Sequence, residues 1–218
     1  MLHSEKIVAV IPAYNEAKTI GTVVKDLAPY VAEIVVVDDC SRDATSEEAN
    51  NAGAIVIRHK HNQGYDRTID DGFAEAAHRG ASIILTFDAD GEHDANDVPR
   101  ILASILNRSA DIVVGQRPHT THFGEKIFAC YTHLRYGLRD PLCGLKAYRR
   151  DVYDSVGFFD SVSSIGTELT LRGIKRGFRL AFVPIALHTR VDDSSRFYSR
   201  HFRANLKILR AMWRVLFI

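Results

Sequence analysis

Ile83-Ile84-Leu85-Thr86-Phe87-Asp88-Ala89-Asp90 reads as an apolar strand closed by two carboxylates one residue apart. In an extended backbone positions i and i+2 share a side, so Asp88 and Asp90 are expected to face one divalent cation where the strand leaves its sheet. Hard cations such as Mg²⁺ or Mn²⁺ take oxygen ligands and keep positions open for substrate phosphates. The pair therefore suggests a metal bridge to a diphosphate. The simpler alternative is a solvated acidic turn.

On either side of this strand the first half of the chain alternates short β-branched runs with amphipathic stretches. The runs are residues 7–11, 34–37, 54–57, 82–87 and 111–115, and the stretches are 17–27, 43–51, 66–78 and 96–106. Strict alternation predicts a mostly parallel sheet with helices on both faces, a three-layer α/β/α arrangement. Ligands of such sheets lie beyond the carboxyl ends of the strands. The second half is less regular, with helices expected at 122–138 and 166–176 and strands at 144–148 and 178–183.

A chain of 218 residues with 46% hydrophobic content can bury one substantial core. With 28 Lys+Arg against 27 Asp+Glu, its overall charge gives no reason to expect nucleic-acid binding. Cys40, Cys130 and Cys143 form no Cys-x-x-Cys pair, and the N-terminus lacks a signal-peptide pattern, so a reduced, cytoplasmic setting is expected. No run of about 18 apolar residues marks a spanning helix.

After the first strand comes Pro12-Ala13-Tyr14-Asn15-Glu16, where a dinucleotide-binding protein would carry Gly-x-Gly-x-x-Gly. Without those glycines a Rossmann dehydrogenase is not expected. On local grounds Asn15 would cap the next helix, with Glu16 at its positive end. The second strand ends in Val37-Asp38-Asp39-Cys40-Ser41-Arg42-Asp43-Ala44-Thr45, again with carboxylates at a carboxyl edge. Here the local alternative is a helix entry capped by Ser41 or Asp43.

Together these segments resemble the inverting glycosyltransferases of family 2, which have the GT-A nucleotide-sugar-binding fold. The resemblance continues through Gly115-Gln116-Arg117, Arg139-Asp140-Pro141-Leu142-Cys143-Gly144-Leu145-Lys146-Ala147-Tyr148 and Gly166-Thr167-Glu168-Leu169. It covers roughly residues 6–196. The Asp-Pro-x-Cys-Gly-x-Lys stretch looks most like the branch that transfers sugar to dolichyl or other polyprenyl phosphates.

The resemblance implies a nucleotide-sugar donor, a UDP- or GDP-hexose, held by Pro12, Tyr14, Glu16 and Asp39 on the nucleoside side and by Asp88 on the diphosphate side. It implies Mg²⁺ or Mn²⁺ on Asp88, Asp90 and the residue at 92, where relatives often carry Gln and this chain carries Glu92. Arg117, Lys146, Arg190 and Arg196 are the expected contacts of the donor diphosphate or acceptor phosphate, because guanidinium and metal neutralise charge on the leaving group. A lipid phosphate is already anionic near neutral pH and has little need of a general base. Asp140 is then a base or positioning group, with Glu168 the second candidate and a helix-dipole role its alternative.

The last segment carries two parallel stripes. Phe202, Leu206, Leu209, Trp213 and Leu216 are apolar, and Arg203, Lys207, Arg210 and Arg214 follow one position later. We therefore expect a catalytic domain over 1–197 and an amphipathic basic helix over 198–218, lying peripherally on the cytoplasmic face of a membrane. Docking on the core or on a second subunit is the alternative, and oligomeric state stays open. Of the other functions, a hydroxyl or saccharide acceptor is the nearest. Phe87-Asp88-Ala89-Asp90-Gly91 is also similar to the Asp-x-Asp-Gly-Thr motif of haloacid-dehalogenase-like phosphohydrolases, but Glu92 replaces the Thr. A non-enzymatic sugar-nucleotide-binding module would be told apart by its lack of turnover.

Overall fold

The β-branched runs assemble into one seven-stranded sheet in the computed structural model, which describes residues 5–118, 122–188 and 201–216, with side chains of the last segment from 205. The strands are β1 (Ile7–Ala13), β2 (Glu33–Asp38), β3 (Ile55–Arg58), β4 (Ile83–Thr86), β5 (Ile112–Gln116), β6 (Lys146–Arg149) and β7 (Leu180–Pro184). Their spatial order is β3-β2-β1-β4-β6-β5-β7. Only β6 runs against its neighbours, so the sheet is mostly parallel, as the alternation predicts.

The helices are α1 (Ile20–Leu27), α2 (Thr45–Asn51), α3 (Tyr65–His78), α4 (Val98–Leu106), α5 (Phe123–Tyr136), α6 (Arg150–Val156), α7 (Glu168–Lys175) and α8 (His201–Val215). Helix α6 has no counterpart in the sequence pattern. It is seven residues long and buries only Val152 and Tyr153, too little for a helical period to stand out.

Residues 8–11 of β1, 35–37 of β2 and 112–114 of β5 are fully buried, as expected of strands covered on both faces. Helix α3 approaches the sheet closely because Gly72 has no side chain: a Cβ there would lie 2.3 Å from Val10 Cγ1. On the same face Phe73 packs against Tyr148 and Phe159, with ring centroids 5.7 and 4.6 Å apart. Aromatic packing of this kind adds to area burial.

Two local expectations change. Strand β4 stops at Thr86, so Asp88 and Asp90 sit on the turn beyond it and not on an extended segment. Asn15 does not cap α1. Its backbone takes the left-handed conformation at φ 54°, and its side chain turns toward the β2 loop.

Candidate active site

The carboxyl edge of β1 and β2 is built by side chains that satisfy one another's backbone. Asn15 Oδ1 accepts from Arg42 N at 2.7 Å, and Ser41 Oγ accepts from Asn15 N at 2.8 Å. Thr45 Oγ1 takes Glu16 N at 2.8 Å, and Asp43 Oδ2 takes Ala17 N at 3.2 Å. Asp43 Oδ1 also accepts from Thr45 N at 3.1 Å, but the residue at the N-terminal cap of α2 is Ala44, which offers no side-chain bond, so neither Ser41 nor Asp43 caps the helix. Between the stitched loops Tyr14 is exposed and Pro12 and Glu16 are half-buried, so these three line an accessible edge.

The two aspartates after β2 have separate tasks. Asp38 is fully buried and accepts from Ser41 N at 2.8 Å and from the Ser46 hydroxyl. Asp39, also buried, accepts from Gln63 N at 2.7 Å and Gly64 N at 2.8 Å, and contacts His59 Nδ1 at 2.8 Å. Asp39 thus fixes the 59–64 loop that forms the next wall. His59 joins Asp39 to Asp71, whose Oδ2 lies 3.2 Å from its Nε2.

Beyond β4 the chain turns through Asp88, Asp90, Glu92 and His93. Asp90 Oδ1 accepts from Glu92 N at 3.0 Å, so Asp90 shapes its own turn. Asp88 lies against Gly144, where a Cβ would fall 1.9 Å from Asp88 Oδ2. His93 also reaches it, with Nε2 at 3.1 Å from Oδ2. This loop is laced to the segment after β7: His188 N donates to Glu92 O at 2.8 Å, and Ala186 N donates to Asp97 Oδ2 at 2.8 Å.

All-oxygen donors on one turn fit a hard cation. Among the described residues, however, no three His, Cys, Asp or Glu side chains converge as a ligand set. The geometry therefore departs from the expected trio of Asp88, Asp90 and Glu92. It fits the Mg²⁺ habit of one or two carboxylates completed by water and substrate phosphates.

Arg117 and Asp140 are brought together, but with each other. Asp140 is 4% exposed and accepts from Arg117 N at 3.1 Å, Nε at 2.9 Å and Nη2 at 2.8 Å. Arg117 Nη2 also reaches Glu125 Oε2 at 3.1 Å. Burial alone would lower the guanidinium pKa, but the Asp140 carboxylate outweighs it and the net shift is upward. This bidentate pair occupies the face of Arg117 that the sequence pattern assigns to phosphate.

Lys146 and Glu168 are drawn inward. Lys146 Nζ donates to Pro141 O at 2.9 Å and Gly166 O at 2.7 Å, and burial lowers its pKa to about 8. Glu168 is fully buried and accepts from Ser161 N at 2.6 Å, Val162 N at 3.2 Å and Arg172 Nε at 2.6 Å. Both hold the 160–167 loop beside the Asp88 turn. Asp66 and Asp160 meet under the same loop and both accept from Gly166 N, at 2.8 and 3.1 Å. Burial and then Asp160 push the Asp66 carboxyl up to about 7. Arg190 and Arg196 lie outside the described residues.

Sequence reasoning missed Glu125, His93 and the Asp66–Asp160 pair. Asp66 and Asp160 are far apart along the chain, whereas His93 and Glu125 lie 5 and 8 residues from Asp88 and Arg117, in spacings that carry no chemical signal of their own.

Helix α8 has three faces. Ile208, Ala211 and Val215 are buried, and Asn205 Oδ1 accepts from Gly124 N at 2.7 Å, so a third stripe docks the helix on α5. Of the two stripes read from sequence, Leu206, Trp213 and Leu216 are exposed, as are Lys207, Arg210 and Arg214, while Leu209 is half-buried and the side chains of Phe202 and Arg203 lie outside the described residues. Phe123 and Leu134 on α5 are 72% and 82% exposed, so that helix presents apolar residues of its own.

Comparison with known proteins accords with this arrangement. The undecaprenyl-phosphate mannosyltransferase of Micrococcus luteus is 28% identical over 203 residues, covering 83% of this chain and 82% of that protein. The UDP-N-acetylglucosamine–dolichyl-phosphate N-acetylglucosaminyltransferase of Methanococcus voltae is 33% identical over 174 residues, covering 66% and 69%. The crystal structure of glucosyl-3-phosphoglycerate synthase from Mycobacterium tuberculosis with Mn²⁺ and uridine-diphosphate-glucose superposes with a TM-score of 0.71 at 22% identity. That match covers 95% of this chain and 79% of the other, and shows the shared GT-A fold. The model of glycosyl transferase family 2 matches residues 8–159, so the chain belongs to that family.

Proposed function

We propose that this glycosyltransferase moves a hexose from a UDP- or GDP-sugar to a polyprenyl phosphate, with inversion and with Mg²⁺ or Mn²⁺ assisting. The observation that carries the reading is the shared carboxyl edge: an accessible Pro12-Tyr14-Glu16 wall, the Asp39-fixed loop, and the Asp88–Asp90 turn all open to one side of the sheet. Two relatives named for transfer to polyprenyl or dolichyl phosphate support the acceptor class.

In this reading Pro12, Tyr14 and Glu16 contact the nucleoside, and Asp39 frames the pocket through the 59–64 loop. Asp88 and Asp90, with Glu92 beside them, would hold the cation, Asp88 on its diphosphate side. A bound divalent cation neutralises charge on the departing nucleoside diphosphate. The acceptor oxygen is already anionic, so the reaction does not require a side chain to take its proton. That agrees with Asp140 being engaged three times by Arg117. We assign Asp140 to fixing Arg117 at the edge of the site, and Lys146 and Glu168 to holding the 160–167 loop. Arg190 and Arg196 remain candidates for the acceptor phosphate on sequence grounds.

The exposed apolar and basic surface of α5 and α8 supports a peripheral position on an anionic membrane face, which we place on the cytoplasmic side. No helix among the described residues is long and apolar enough to cross a membrane. The test is a donor panel of UDP-glucose, UDP-N-acetylglucosamine and GDP-mannose with Mn²⁺, with and without polyprenyl phosphate. Release of nucleoside diphosphate should depend on the lipid phosphate and stop in excess chelator. Release that is indifferent to the lipid would transfer the assignment to another acceptor.

A further inference from the structure

His93 is buried, 7% exposed, in the loop that carries Asp88 and Asp90. Its ring stands edge-on to Phe87 with centroids 5.6 Å apart, a place that phenylalanine would fill as well. What the imidazole adds is a single polar contact, Nε2 to Asp88 Oδ2 at 3.1 Å. Among the described residues Nδ1 is buried without a partner, so no second hydrogen bond there explains why a histidine stands at this place.

The backbone around it is fixed as if to aim the ring. His93 forms an isolated bridge with Leu187, and the carbonyl before it accepts from His188 N at 2.8 Å. From the other side Gly144 presses on the same carboxylate oxygen, since its missing Cβ would lie 1.9 Å from Oδ2. Asp88 is thus clamped between an N–H donor and a bare backbone.

We propose that His93 is a positioning residue for the donor site: its Nε2–H holds the Asp88 carboxylate in the orientation that meets the metal-bound diphosphate. The role needs only the Nε2 hydrogen, present in one neutral tautomer and in the cation alike. The inference rests on the glycosyltransferase reading for what Asp88 faces, and concerns how Asp88 is preset before the donor arrives. Fixing an acidic group in advance spares the bound complex the cost of ordering it.

The experiment compares His93→Phe, which keeps the ring packing and removes the donor, with His93→Gln, whose amide N–H can reach the same oxygen. Binding of UDP and GDP is measured by calorimetry at fixed Mn²⁺, and Mn²⁺ affinity by paramagnetic resonance, with thermal unfolding of each variant alongside. Loss of an outer hydrogen-bond partner typically weakens a metal site by about 10–100-fold, and that is the loss expected for His93→Phe. His93→Gln should restore most of it, and the loss in His93→Phe should not track its melting temperature. Unchanged Mn²⁺-dependent binding in His93→Phe overturns the proposal. So does equal loss in both variants in step with unfolding, which would make His93 a packing residue. Failure of the wild type to bind either nucleotide with Mn²⁺ would instead remove the underlying donor-site reading and the proposal with it.

Discussion

Replacing Asp140 with Asn tests whether its main task is to hold Arg117. The carboxylate is 4% exposed and receives three hydrogen bonds from that one residue. The amide introduced by Asp140→Asn would keep one acceptor oxygen and lose the charge, leaving a buried guanidinium with Glu125 alone. Breaking a buried ion pair by removing one partner costs about 3–5 kcal/mol. Glu125 Oε1 is buried and unpartnered among the described residues, so it can take up part of the released guanidinium. That places the expected loss at the lower end, about 3 kcal/mol. For a chain of this length the loss corresponds to a fall in melting temperature of about 6–12 °C. Urea and thermal unfolding of Asp140→Asn, Glu125→Gln and the double variant would measure it, with the double variant losing more than the sum of the two singles. A loss under about 1 kcal/mol for Asp140→Asn, accompanied by a large fall in turnover of bound donor, would return Asp140 to the role of a base.

Three further outcomes are expected. Gly144→Ala puts a Cβ 1.9 Å from Asp88 Oδ2, so Mn²⁺-dependent nucleotide binding should fall sharply, and unchanged binding would show that Asp88 can move aside. The Asp66 carboxyl is pushed up to about 7 from a reference of 3.8 by burial and then by Asp160, with Gly166 N and Lys207 opposing. Between those values the folded state holds a proton that the unfolded state has released, so this contribution to stability is complete below about pH 4 and is lost as pH rises through about 7. Urea midpoints at several pH values should show that slope in wild type and its loss in Asp66→Asn. Replacing Arg203, Lys207, Arg210 and Arg214 with Gln should weaken binding to anionic liposomes, each residue contributing about 1 kcal/mol at low salt. Equal liposome binding by both proteins would instead favour a partner protein at this surface.

The parallel sheet was legible because its strands are buried on both faces and read as apolar runs, from Ile7 to Ala13 and from Ile112 to Gln116. The strand ends that open the site were legible for the same reason, since position in a parallel sheet fixes which end faces ligand. The partners of the charged groups were not. Arg117 and Asp140 are 23 residues apart, and Phe159 N and Asp70 are 89 apart, so each contact depends on the closed fold. Lys146 and Glu168 stood in recognisable motifs, yet their polar atoms serve backbone groups of a loop that no local pattern predicts. Helix α8 divided differently. Its two stripes were visible, but the small docking face of Ile208, Ala211 and Val215 became evident only against α5.

Transfer of a sugar to a lipid phosphate leaves its record in the chemical identity of the product. The purified protein is incubated with polyprenyl phosphate, Mn²⁺ and the donor that supports turnover, and the lipid fraction is analysed by mass spectrometry and proton NMR. The expected product carries one hexose unit linked through the lipid phosphate, with anomeric configuration opposite to that of the donor. A sugar found on a hydroxyl group or free in water, or retained configuration at the anomeric carbon, would contradict it.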